Sequence, residues 1–213
     1  MGLRDRSFVA LAGQLAGPHG LFGRLLARRL NRFNRVSIEG AVEQLAPGPG
    51  ATVADIGFGG GIGLELLADR VGPTGLVHGI DPMPEMVRRA SRHWSQLVAD
   101  GRLVLAEGRM EDPPLDDGVL DGLISCNTIY FVPDLAAGVG GLARVTRPGG
   151  TVIVGMADPE YFAARPFAEH GFHVRDVDEV ATALTAAGFG APRLDPVDID
   201  RTVFHLVRAE RVG

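Results

Sequence analysis

Two acidic residues with alternating glycines between them are the part of this sequence whose types and spacing indicate ligand chemistry. Asp55 lies in an apolar run, and glycines follow it at positions 57, 59, 61 and 63. Glycine has no Cβ, so backbone that leads from a strand into a helix can approach a ligand closely there. Asp81 ends a second apolar run, where a carboxylate can accept the hydroxyl hydrogens of a ribose. The pattern therefore predicts a site for an adenosine-bearing ligand at the ends of two strands.

The glycine spacing differs from that of a dinucleotide-binding turn. Such a turn has the order Gly-x-Gly-x-x-Gly, but the sixth position counted from Gly57 is Ile62, and counted from Gly59 it is Leu64. The order from Asp55 is Asp-x-Gly-x-Gly-x-Gly. This order resembles the first motif of the class I S-adenosylmethionine (SAM) dependent methyltransferases. The resemblance implies SAM as the cofactor, and its binding residues would include Asp55, Gly57, Gly59, Gly61 and Asp81.

Further cofactor contacts are implied by the same resemblance. Met83 stands where an apolar side chain flanks the adenine, and Met110 follows the third strand, where backbone contacts are expected. Arg109 departs from the family pattern, because it stands where an aspartate usually accepts a hydrogen bond from the adenine amine, and a guanidinium only donates. Whether Arg109 or Glu111 contacts the adenine is left open.

Residues on the acceptor side are also implied by the resemblance. Asn127 and Tyr130 lie on the segment beside the transferred methyl group; Asn127 is assigned to the cofactor and Tyr130 to catalysis. His170 lies in the segment 158–173, which covers the acceptor pocket in many family members, and it is a candidate general base. The alternatives are a core aromatic for Tyr130 and an ordinary surface histidine for His170.

The elements that must position these residues alternate between strand and helix from residue 51 onward, which is typical of a doubly wound α/β sheet. Only residues 198–200 separate the last two predicted strands, so these must pair as an antiparallel hairpin. The resemblance implies a seven-stranded, mostly parallel sheet with the order 3-2-1-4-5-7-6. Strands are predicted near 51–56, 76–81, 102–106, 119–125, 150–155, 192–197 and 201–208, and helices near 62–71, 83–99, 134–146 and 176–187. A helical N-terminal cap over 1–48 precedes a single globular Rossmann-like unit over 49–213.

Composition restricts the chemistry and the partners. All 21 basic residues are arginine, which excludes Schiff-base chemistry and a P-loop lysine. The net charge of −5 argues against nucleic-acid binding, and the single Cys126 excludes a cysteine-cluster metal site. No metal site is expected, and no apolar run reaches the length of a membrane span. We therefore expect a cytoplasmic protein with a small-molecule substrate, for which a homodimer is left open.

These observations favour a SAM-dependent methyltransferase that methylates an O, N or C atom of a small organic metabolite by in-line substitution. Two other enzyme classes stay open: a SAM-binding enzyme that catalyses cyclisation or decarboxylation, and an NAD-type oxidoreductase, which the glycine spacing and the closing hairpin disfavour. A binding protein without catalysis is the weakest alternative, because its cofactor motifs would be unused.

Overall fold

Short apolar runs bounded by turns form the strands of one sheet in the computed structural model, which describes residues 34–163, 172–199 and 202–213. The strands are β1 (Thr52–Ile56), β2 (Leu76–Asp81), β3 (Leu103–Glu107), β4 (Leu120–Cys126), β5 (Thr146–Ala157), β6 (Arg193–Ile199) and β7 (Thr202–Glu210). The helices are α1 (34–45), α2 (Ile62–Val71), α3 (Pro84–His93), α4 (Ser95–Ala99), α5 (Leu135–Val145), α6 (Pro159–Ala163) and α7 (Val177–Ala186). A 3-10 helix spans Ile129–Phe131.

The sheet has seven strands in the order β3-β2-β1-β4-β5-β7-β6. The first five strands in this order run parallel, whereas β7 pairs antiparallel with both β5 and β6. The predicted fold class, strand order and closing hairpin are confirmed. Because β1 lies between β2 and β4, the direction of winding reverses at β1, and ligands of doubly wound sheets bind at such a point.

Helices cover both faces of the sheet. The central strands are therefore continuous apolar runs, without the alternation of apolar and polar residues that a half-exposed strand has. Four of the five residues of β1 are buried. On one face, α1 packs across the sheet, since a Cβ added at Gly122 of β4 would meet Leu45, and one added at Gly40 would meet Leu206 of β7. Elsewhere α5 packs against β5 and α7. This packing fixes the strand ends that carry the site.

Some element boundaries differ from the predictions. The helix predicted over 83–99 is two helices, because Trp94 leaves the helical conformation with φ −106° and ψ 36°. Strand β5 begins at Thr146, which pairs with Leu120 before a shift in register, so the turn at Pro148 lies within it. The short helix α6 and the 3-10 helix were not predicted.

The N-terminal cap is described only in part. Residues 34–45 form α1, and residues 1–33 lie outside the described residues, as does His170. The boundary between cap and sheet domain stays a prediction. Among the described helices, none combines the length and the apolar character that crossing a membrane requires.

Candidate functional site

The register of the sheet brings the predicted acidic and glycine residues to one edge. Asp55 of β1 lies level with Gly79 of β2 and with Ile124 of β4. The carboxyl ends of these parallel strands therefore meet. Gly57 follows β1, and Asp81 ends β2, so both predicted acids and the glycine turn between them share this edge.

The Asp55 carboxyl is buried and has no hydrogen-bonding partner among the residues that the structure describes. Its residue is only 4% exposed, and within the described part of the chain no donor is paired with the carboxylate. Burial, and secondarily the charge of Asp81, raises the pKa of Asp55 from 3.8 to about 8. A buried carboxylate is costly unless an opposite charge pairs with it. The group is therefore suited to bind a cation supplied by a ligand.

Asp81 connects the second strand to the glycine turn. One carboxylate oxygen accepts a hydrogen bond from the Gly59 N–H and the other from the Met83 N–H, both at 2.9 Å. Burial raises the pKa of Asp81, and these two bonds oppose that rise. Asp81 thus holds the turn in place before any ligand arrives. Met83, as the residue preceding α3, is half-buried beside it.

Each of the alternating glycines is favoured at its position for a different physical reason. Gly57 and Gly61 both adopt a φ of +81°, and a Cβ would collide with Thr128 at the first and with the Trp94 ring at the second. Gly63 leaves room for the side chain of Asp55. Gly59, the remaining one of these alternating glycines, differs, since it has a φ of +47° and the nearest atom to its added Cβ is 4.0 Å away. Open space for a ligand therefore lies at Gly59.

The segment after β3 carries Met110, for which a backbone contact is predicted, and Arg109. Met110 is buried, and its sulfur lies beneath α5, where a Cβ at Gly138 would approach it to 3.3 Å. Any contact from Met110 to a cofactor is therefore restricted to its backbone. Arg109 is exposed, and its backbone forms an isolated antiparallel β-bridge with that of Asp112.

The end of β4 carries Asn127 and Tyr130. Asn127 has a left-handed φ of 58°, donates its N–H to the Gly155 carbonyl at 2.8 Å, and donates from its side chain to Oδ1 of Asn34 at 3.1 Å. Tyr130 is buried, and its hydroxyl accepts a hydrogen bond from the Ala157 N–H. Burial raises the pKa of the Tyr130 hydroxyl above its usual range. These contacts tie the end of β4 to the end of β5.

Sequence reasoning missed several contacts at this edge. Thr128 packs on Gly57, Trp94 packs on Gly61, and Asn34 contacts Asn127. Asp158 and His205 form a further pair beside Tyr130. The two acids of the glycine motif have a spacing that can be recognised in the sequence. These contacts instead join residues that are distant in sequence, and no local signal marks them.

A surface cavity of about 410 Å³ lies at the opposite edge, where β1 and β4 begin. It is lined by the loop 46–51 and by Asp121 and Arg147, which form an ion pair at 2.7 Å. None of the predicted site residues borders it. Among the described residues, no group of three or more potential ligands could hold a metal ion.

The residues at the carboxyl edge fit SAM. This cofactor carries an ammonium group, a sulfonium group and a ribose with two hydroxyls. The unpaired carboxylate of Asp55 offers the charge that a cation requires, Asp81 offers acceptors, and the open side of Gly59 allows close approach.

Comparisons with known proteins agree with this site. Residues 54–154 match the family model described as a methyltransferase domain. The chain is 30% identical over 160 residues to an arsenite methyltransferase of Halobacterium salinarum, covering 72% of this chain and 41% of that protein. It is also 30% identical over 201 residues to the nocamycin O-methyltransferase of Saccharothrix syringae, covering 87% and 66%. The chain thus spans less than two thirds of the length of these curated relatives.

Solved structures share the fold. A methyltransferase in complex with the Haloferax volcanii Trm112 methyltransferase activator matches with a TM-score of 0.77 at 22% identity, covering 97% of this chain and 98% of that one. A SAM-dependent methyltransferase from Aquifex aeolicus matches with a TM-score of 0.70 at 24% identity, covering 85% and 93%. The motif, the strand order, the family-model match and the relatives agree. The chain belongs to the class I SAM-dependent methyltransferase family.

Proposed function

We propose that the protein transfers a methyl group from SAM to an oxygen, nitrogen or carbon atom of a small organic molecule. The observation that carries this proposal is the buried Asp55 carboxylate, which has no partner among the described residues and lies beside a glycine turn. A cationic ligand that also fills the open side of Gly59 satisfies both features.

Each residue of the edge has a separate part in binding. Asp55 would hold the ammonium group of the cofactor, and Asp81 would accept the ribose hydroxyls while it fixes the Gly59 N–H. When bound, SAM supplies a methyl group already activated by the sulfonium. The chain then has to align the acceptor with that methyl group, and such alignment is worth about 7–11 kcal/mol in well-oriented systems.

Tyr130 and His170 remain the proposed catalytic residues. The Tyr130 hydroxyl is engaged by the backbone of Ala157, which supports a part in positioning the end of β5 against β4. The acidic net charge of −5 supports a small molecule rather than a nucleic acid as the substrate. The cytoplasmic location and a homodimer stay predictions, and size-exclusion chromatography with light scattering tests the latter.

Calorimetric titration with SAM, S-adenosylhomocysteine and NAD tests the proposal. We expect the protein to bind the first two ligands and not NAD. The variant Asp81→Ala should bind SAM more weakly by about 1–3 kcal/mol, because its charge-assisted hydrogen bonds are lost. Binding of NAD alone would overturn the cofactor assignment. Mass analysis of products should then show the gain of one methyl group, whereas a cyclised or decarboxylated product would assign other SAM chemistry.

A further inference from the structure

A histidine and a carboxylate meet at the end of β5, outside the glycine motif. Nε2 of His205 lies 3.3 Å from Oδ2 of Asp158. Both side chains are partly accessible, His205 at 22% and Asp158 at 34%. A histidine oriented by a carboxylate is an arrangement that enzymes use to accept protons.

The sheet register places this pair on the same edge as the cofactor site. Gly155 of β5 pairs with Cys126, and Met156 pairs with His205 of β7. His205 is therefore level with Asn127 at the end of β4. The two strands are separated only by β5, so their backbones lie about 10 Å apart. A small acceptor can span that distance.

The charge state of the pair is set by its surroundings. The Tyr161 N–H, a bond from His205 and the Glu160 N–H all lower the pKa of Asp158, so its carboxylate stays ionised. A carboxylate accepts only, hence the Nε2–H of His205 donates to it and the lone pair of a neutral ring lies on Nδ1. Within the described ranges, no donor is paired with Nδ1.

The neighbouring groups on β4 and β6 do not occupy the lone pair on Nδ1 of His205. From the β4 side, Tyr130 interacts electrostatically with Asp158, and its hydroxyl is bonded to the Ala157 backbone. From β6, Pro196 pairs with His205 and brings no charge. Among the described residues, Asp158 is the charged partner of the ring at this corner.

We propose that His205, oriented by Asp158, accepts the proton of a hydroxyl group on the methyl acceptor, which makes the acceptor a phenol or an enol. This inference rests on the proposed methyl transfer and narrows its substrate class. The O–H bond breaks, its proton forms an N–H bond at Nδ1, and its electron pair stays on oxygen. The oxygen then forms the new C–O bond as the carbon–sulfur bond breaks with its pair on sulfur, and the imidazolium later releases its proton to water.

A nitrophenol tests this proposal without requiring turnover, because its visible absorption reports the loss of its proton. We titrate the probe with pH in the presence of the protein saturated with S-adenosylhomocysteine. The wild type should hold at least about tenfold more phenolate at a given pH than free solution does, equivalent to about 1.4 kcal/mol. His205→Gln retains an amide N–H for Asp158 but has no basic nitrogen, so the bound probe should ionise as it does in water. Asp158→Asn should give an intermediate result.

His173→Asn is the matched control, since this exposed histidine is anchored near Tyr130 by its backbone N–H, and its ring has no hydrogen-bonding partner among the described residues. The control should titrate like the wild type. The proposal is overturned if the wild type does not bind the nitrophenol, if His205→Gln ionises the probe as the wild type does, or if His173→Asn behaves like His205→Gln. Calorimetry with S-adenosylhomocysteine, expected unchanged in His205→Gln, shows that the variant is folded. A wild type that fails to bind S-adenosylhomocysteine contradicts the proposed function itself.

Discussion

The proposed cofactor half of the site and the proposed acceptor half are built in different ways. The cofactor half joins the ends of β1 and β2, and its acids and glycines all fall between Asp55 and Asp81. The acceptor half joins the ends of β4 and β5 to the start of β7, and its side chains come from Asn127, Asp158 and His205. In the first half, the geometry is set mainly by backbone N–H groups and by glycines, which have no Cβ atom. In the second half, side chains contact side chains.

This difference separates a part of the site that backbone geometry restricts from a part that depends on side-chain contacts. The turn in the cofactor half has its geometry set by φ angles and by the bonds from Asp81, so its sequence is restricted. The acceptor half depends on contacts such as that between Asn34 and Asn127, which can change with the substrate. Breaking each half separately should therefore have different consequences.

The largest effect is expected from Gly57→Ala. The new Cβ collides with Thr128, and alanine must adopt the φ of +81° that this position has. The free energy of unfolding should therefore fall by about 2–5 kcal/mol. Urea denaturation of the ligand-free protein measures it. Gly59→Ala is the matched control, because it has open space and should lose only about 1–2 kcal/mol of stability, yet it should bind SAM poorly. Equal stability losses in the two variants would contradict the distinct reasons assigned to these glycines.

Asp55→Asn should separate binding from stability. Removing the charge should weaken SAM binding about 100-fold, as expected for the loss of a charged hydrogen bond. The folded pKa of about 8 lies above the ordinary 3.8, so the wild type loses stability as pH rises between these values. Without ligand, the variant should therefore melt at a higher temperature than the wild type at about pH 9, and the difference should shrink near pH 4. A lower melting temperature at both pH values would refute the unpaired state of Asp55.

Proton release on SAM binding should report the same carboxyl group. Below its raised pKa, Asp55 must lose a proton to pair with a cation, so affinity should fall by about tenfold per pH unit as the pH decreases below about 8. Calorimetry in buffers of different ionisation enthalpy counts the released protons. Asp55→Asn should remove this contribution and leave only the titration of the ligand's own amine.

The smallest effect is expected in the acceptor half from Tyr130→Phe. Loss of the hydroxyl leaves the buried Ala157 N–H without its acceptor and should reduce stability by about 1 kcal/mol. Turnover should change more than SAM affinity, because the hydroxyl lies at the ends of β4 and β5. Comparison of the SAM dissociation constant with the rate of methyl transfer tests this, and equal changes in both would assign Tyr130 to packing alone.

The architecture was predictable because local patterns determine it. Alternating strands and helices predicted a parallel sheet, and the short connection over 198–200 predicted the hairpin of β6 and β7. The break at Trp94 was not predictable, since helical spacing continues through it while the ring packs against Gly61. Boundaries set by tertiary contacts escape local patterns.

The site was predictable in one half only. Asp55 lies near the end of one apolar run and Asp81 ends another, and these positions are visible in a sequence. The pair of Asp158 and His205 requires that β7 enters the sheet beside β5, and the register of that pairing cannot be read locally. The contacts of Asn34 with Asn127 and of Thr128 with Gly57 face the same limit. Side-chain constellations assembled by the sheet became visible only with the structure.

The buried carboxyl of Asp55 also links the lifetime of the protein in a cell to the supply of its nucleoside. A ligand that binds only the folded chain lowers the unfolded fraction, and proteases remove that fraction. When SAM is scarce, the empty enzyme should be degraded sooner than the loaded one, so its abundance should follow the methylation capacity of the cell.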